Sequence, residues 1–164
     1  RAHTIGYWKN WASCTTSSSK KRPVLDQTLA ASESNGVVVS ATSGTQPAFG
    51  ATYYLVLHGS TSTPNRAPDC AKAVSLLNKS NFAGKKMASD PAFNMAAQLV
   101  AAQLNYVVGA AKPAAATNAI NQAVLLLGKY RFIGSGYTGK ITAADAAAMN
   151  ALATTLDNYN NNLL

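Results

Sequence analysis

Six carboxylates and two imidazoles are all the side chains this 164-residue chain has for acid–base chemistry near neutral pH: Asp26, Glu33, Asp69, Asp90, Asp145 and Asp157, with His3 and His58. Three of the acids stand where helices should begin. Asp69 precedes an apolar-periodic run, Asp90 lies between Ser89 and Pro91, and Asp145 follows Thr142 by three in the manner of a capping box. Only Asp26, Glu33 and Asp157 are left free for the facing carboxylate pair that glycoside hydrolysis requires. His3 falls in what reads as a mobile arm and His58 at the end of a strand. There is no GxSxG elbow, no HExxH pair and no carboxylate-rich calcium loop, and residues 129–140 hold no phosphate loop. Gly134-Ser135-Gly136 reads as a hinge-like loop. Two cysteines cannot build a paired-CxxC zinc site. The expectation is a protein that is not an enzyme and uses no metal or cofactor.

Charge offers a different chemistry. Fourteen Lys and Arg against six Asp and Glu give a formal charge of +8. Lys20, Lys21 and Arg22 form one cluster and Lys85 with Lys86 another. Basic surfaces attract acidic polysaccharides and nucleic acids through their phosphate, sulfate or carboxylate groups. Those five residues are therefore the candidate polyanion contacts, and the attraction would be nonspecific, because no recognition helix or base-stacking motif accompanies them. The same charge also serves solubility. Tyr53, Tyr54, Tyr130 and Tyr137 are candidates for a sugar platform, although strand alternation places one of Tyr53 and Tyr54 in the core.

The third set is structural. Tyr7, Trp8 and Trp11 are large aromatics in an otherwise polar leader of residues 1–22 that shows neither helical nor strand period. Exposing three such rings is unfavourable, so the leader must dock, either on its own domain or on a neighbouring subunit, where it would act as the assembly anchor. Cys14 and Cys70 are 56 positions apart, and a bridge closing so long a loop would add about 3–4 kcal/mol. Few charges with much Ser, Thr, Asn and Gly suit an extracellular setting in which a disulfide persists. Two separate buried thiols are the alternative. Asn78-Lys79-Ser80 matches the N-glycosylation tripeptide, a pattern frequent by chance.

The elements that must position these groups make one domain, residues 23–164, behind the leader. Charged residues are only 12% of the chain, about half the usual share, and 31 of its apolar residues are Ala. That supplies small buried faces for one core. Residues 23–59 form the β part: Val37–Val39 follow the turn signal Asn35-Gly36, and residues 52–58 (TYYLVLH) are rich in β-formers. Residues 24–33 have the makings of a short helix before the strands, and residues 59–68 read as a loop. The region 69–160 is helical. Cys70, Ala73, Val74 and Leu77 share a face; Phe93, Ala96, Ala97, Val100, Leu104 and Val107 form a second stripe ended by Gly109. Pro113 opens a third helix carrying Ile120, Ala123, Val124 and Leu127. A fourth carries Met149, Leu152, Ala153, Leu156 and Tyr159, and the polar run Asn158 to Asn162 is too poor a helix former to continue it. Residues 132–140 form a loop. The expected fold is α+β: mainly α with four helices, a small β-hairpin annex and an irregular N-terminal arm. No apolar run reaches membrane-spanning length, since Met95 to Val108 is broken by Gln98, Gln103 and Asn105. Arg1 reads as a processed start.

Three segments carry a resemblance. Gly6-Tyr7-Trp8-Lys9-Asn10 resembles the GYWKN opening of a recurrent module of secreted bacterial surface proteins; residues 87–105 (MASDPAFNMAAQLVAAQLN) resemble its LAxQLxAAxLN helix; residues 143–162 are similar to its closing segment. Cys14 and Cys70 sit where related sequences carry Cys, whereas Trp11 stands where His is common. The resemblance spans nearly the whole chain. That family has no assigned activity, so the resemblance implies location rather than chemistry: an extracellular or cell-surface bacterial protein. The combined expectation is a non-catalytic structural module, a self-assembling subunit of a fibre or envelope whose partners are copies of itself or envelope components. The alternative is a secreted binding module for acidic polymers or glycans.

Overall fold

Helix formation begins sooner than the sequence pattern suggests. The Thr4 carbonyl accepts from the Trp8 N–H and its hydroxyl from the Tyr7 N–H, both at 3.2 Å, and this closes a short helix, α1 (Ile5–Asn10). Six residues are too few for a 3.6-residue period to register, which is why the arm reads as irregular. The computed structural model describes residues 1–10, 14, 24–32, 36–46, 48–60 and 69–164. Trp11, Lys20, Lys21, Arg22 and Glu33, all singled out above, lie outside the described residues, as does most of the 59–68 loop.

Among the described residues there are six helices and one two-stranded antiparallel sheet, so the α+β class holds and the count of four helices is corrected. Besides α1, the additional helix is α2 (Val24–Ala31), followed by β1 (Val37–Ala41), β2 (Tyr53–Leu57), α3 (Cys70–Leu77), α4 (Pro91–Val107), α5 (Ala114–Lys129) and α6 (Ala143–Asn160). Val37 faces Leu57 and Ala41 faces Tyr53, with register shifts on both sides of Ser40. β1 is buried along its whole length, while β2 is an edge strand of which only Leu57 is buried. β1 is covered by α5 and α4 whereas β2 meets mainly α3, so neither Tyr53 nor Tyr54 reaches the core, against the expectation for one of them.

The fold is organised around α4. Asp90 caps it, accepting from Ala92 N–H (2.8 Å) and Phe93 N–H (3.3 Å), with Pro91 at the first position as the sequence suggests. Its residues are buried nearly all round, the mark of a central helix. α6 packs along it, and α3, α5, β1, α1 and α2 surround it. Ala96, Ala97, Ala101 and Ala102 are all fully buried, and small side chains let the neighbouring elements approach closely. α5 lies on β1, where a Cβ on Gly128 would stand 2.3 Å from the Ala41 carbonyl oxygen; glycine there sets the distance between helix and strand.

α6 runs to Asn160, through residues whose weak helix propensity argues for an earlier end. Propensity loses here to tertiary bonding: Asn160 is fully buried and its amide donates to the Gln98 carbonyl (3.1 Å) and Oε1 (2.9 Å). A single apolar cluster runs from Ala2 and Trp8 through β1 and α4 to Tyr159, so the leader contributes to the core of the domain. No helix among the described residues is long and apolar enough to cross a membrane.

Candidate functional site

The leader is seated on its own domain by one buried amide. Asn105, near the end of α4 and with no solvent exposure, accepts at Oδ1 from the His3 N–H (2.8 Å) and the Trp8 indole N–H (3.1 Å). Its Nδ2 donates to the His3 carbonyl (2.8 Å) and to Asn160 Oδ1 (3.0 Å). Both donors and both acceptor positions of the amide are thus used. Trp8 is fully buried; Tyr7 is half-buried and stacks on His3 with centroids 3.8 Å apart. Of the expected anchor residues, Trp8 therefore faces inward, and His3 is part of the seat rather than of a mobile arm. Burial first, and then the positive charges of the N-terminus and Arg1, hold the His3 pKa below its ordinary value.

Two further ties complete the clasp. Cys14 and Cys70 form a disulfide with Cα atoms 5.6 Å apart, Cys70 being the first residue of α3. Asn162, at φ 60°, accepts from Ala2 N–H (2.9 Å) and returns Nδ2–H to the Ala2 carbonyl (3.0 Å), so residues 2 and 162 are joined directly.

Each described carboxylate has a partner within the fold. Asp26 takes the backbone N–H (2.9 Å) and hydroxyl of Ser60. Asp157 takes Gln98 Nε2–H (3.1 Å) and Asn161 Nδ2–H (3.0 Å). These two, read from sequence as free, are held. Asp69 makes no side-chain cap to α3; instead it accepts from His58 N–H (2.9 Å) and lies 3.3 Å from His58 Nδ1 and 3.5 Å from Lys72 Nζ. Thr142 caps α6 through Asp145 N–H (3.1 Å), but the Asp145 carboxylate turns away to Lys129 Nζ (2.7 Å) and the Tyr130 hydroxyl, so the capping box is half formed. The Lys129 bond foremost, then that from Tyr130, holds the Asp145 pKa below the ordinary carboxylate value, and the same contact raises that of Lys129. Tyr137 donates to Asp90 (2.6 Å); burial first, then that carboxylate, pushes its pKa up to about 12. No group of three or more His, Cys, Asp or Glu that could hold a metal occurs among the described residues.

The basic candidates separate. Lys85 is exposed in the turn after α3, whereas Lys86 donates Nζ–H to the Asn78 carbonyl (2.6 Å). Lys9 of the leader reaches Asn78 Oδ1 at 3.2 Å. Of the tyrosines considered for a sugar platform, Tyr130 is buried and the half-buried Tyr137 is tied to Asp90 through its hydroxyl.

One open cavity of about 510 Å³ lies between β1, the β1–β2 connection, α4 and α5. Gln103, Tyr106 and Lys112 line one side, Thr117 and Asn121 of α5 the other, and Thr45 the rim. Gln103 Nε2 donates to the Val38 carbonyl (2.6 Å); Asn121 Oδ1 accepts from both the backbone (3.1 Å) and hydroxyl (2.8 Å) of Thr45. The Tyr106 and Thr117 hydroxyls are 2.7 Å apart, and Lys112 Nζ stands 5.5 Å from the Tyr106 ring centroid. Sequence reasoning passed over this group because its members are far apart in the chain. The available signal was a pair of polar interruptions at helical spacing, 103 with 106 and 117 with 121. No family model matches the chain, and no curated protein or solved structure matches it.

Proposed function

We propose that this chain is a non-catalytic extracellular module of a bacterial surface, a structural subunit that packs against copies of itself or envelope components in a fibre or coat. The observation that carries the reading is the clasp: the leader's indole in the core, a disulfide behind it, and residues 2 and 162 bonded to each other. A bridge of this kind persists in oxidising, extracellular surroundings. The described carboxylates are spent on internal bonds, whereas a hydrolytic centre would turn two of them into a cavity. The GYWKN-type resemblance supports the same location.

Trp8 is turned inward, so of the described residues an exposed aromatic elsewhere is a candidate for contacts between copies. Phe49, between β1 and β2, is fully exposed, and Tyr53, four positions further along the chain, is exposed at 41%. Large apolar groups left in solvent mark interaction surfaces when they cluster. Sedimentation and electron microscopy of the full chain and of Phe49→Ser test this. Concentration-dependent assemblies reduced by the substitution are expected. A wild-type chain that stays monomeric at every concentration overturns the assembly reading.

The second reading, a secreted binder of acidic polymers or glycans, is favoured by the cavity beside Lys112 rather than by the clusters picked from sequence.

A further inference from the structure

We propose that the groove between β1, α4 and α5 binds a short acidic sugar, a uronate-type saccharide whose carboxylate pairs with Lys112 and whose hydroxyls meet Gln103, Asn121 and Thr45; this rests on the second reading above and gives it a site. The volume of about 510 Å³ is in the range of small-molecule sites. Among the described residues no Asp or Glu lines it. The Lys112 ammonium is exposed and has no carboxylate partner among the described residues. Lys112 stands two residues before α5, and no arginine is among the lining residues, so the groove offers one point charge, an adequate partner for one carboxylate, rather than the bidentate fork that favours phosphate.

The walls select for a polyhydroxylated ligand. Gln103 spends one amide hydrogen on Val38, leaving its second hydrogen and Oε1 without a partner among the described residues. Asn121 spends one amide hydrogen on the Thr117 carbonyl (3.2 Å) and keeps the other. Donors and acceptors thus stand together, as a sugar hydroxyl, itself both, requires. Val107, half-buried on the wall, provides apolar surface for the C–H face of a pyranose ring, with the buried Val37, Val38 and Ile120 behind it.

The test is an amide-resolved NMR titration of the intact, disulfide-bonded chain with trigalacturonate, with maltotriose and acetate as separate probes. Saturable shifts at the side-chain amides of Gln103 and Asn121 are expected with trigalacturonate, together with about tenfold weaker binding in Lys112→Met, the worth of one charge-assisted bond. Lys85→Ala should bind unchanged. Equal binding of maltotriose with no effect of Lys112→Met overturns the acidic assignment. Shifts at Lys85 with silent groove amides overturn the site while leaving the acidic-polymer reading standing. Absence of saturable binding anywhere overturns both. Lys112 is exposed, so its variant folds and a lost signal reports the ligand contact.

Discussion

Gln103 and Asn105 are two positions apart on α4 and face two different regions of the molecule. Asn105 is sealed under the leader and uses every hydrogen-bonding position it has. Gln103 opens on the groove and makes one bond. The difference separates structure from availability: a buried amide that is fully satisfied fixes one arrangement of chain, whereas a half-satisfied amide in contact with water can exchange that water for a ligand.

The clasp is expected to break most expensively. Replacing Cys14 and Cys70 together by Ser releases a loop spanning 56 positions and should lower stability by about 4 kcal/mol, read as a fall in the denaturant midpoint with unchanged native circular dichroism. A loss near zero would mean that the seat of Trp8 holds the leader alone. Asn105→Leu comes next. It leaves the Trp8 indole N–H, both backbone groups of His3 and Asn160 Oδ1 without that partner, and should cost about 3 kcal/mol. An Asn105→Leu variant as stable as wild type would show that the sealed region is held by apolar burial alone.

How much of this was legible depends on whether the signal is local. Asp90-Pro91, the α4 stripe and the paired β-runs are encoded within a few residues, and each stands where the pattern puts it. The Asn-rich end of α6 and the half-formed box at Asp145 depend on partners far along the chain. Asn160 is helical because Gln98 and Asn105 are there, and Asp145 turns to Lys129 and Tyr130 instead of back to Thr142. The leader shows both cases. Its aromatic content announced burial, but the residue that receives it, Asn105, looked in sequence only like a polar interruption of an apolar run. The groove was illegible for the same reason, being assembled from β1, the β1–β2 connection, α4 and α5, with the end of α2 beside them.

Alkali should probe the two sides more gently. Burial pushes Tyr159, whose hydroxyl donates to the Ala111 carbonyl at 2.6 Å, up to about 12, as it does Tyr137. A proton held more tightly in the folded than in the unfolded chain gives stability that is fully present below the ordinary tyrosine value of 10.0 and lost as pH rises toward about 12. Denaturation midpoints should therefore fall across that window, and Tyr159→Phe should flatten the fall. A midpoint unchanged across it in wild type would mean that neither hydroxyl is as shielded as its contacts imply.

The smallest effect is expected at Gln103, and it is the sharpest test of the contrast with its neighbour. Gln103→Ala removes the bond to the Val38 carbonyl, but the site is half-buried and opens on the groove, so water can take that carbonyl. The cost should be about 1 kcal/mol, a third of that at Asn105, with no change in the seating of Trp8 as read by its fluorescence. Equal losses at the two positions would mean that Gln103 holds β1 to α4 as firmly as Asn105 holds the leader. Its amide would then be committed to the fold, with nothing left over for a sugar.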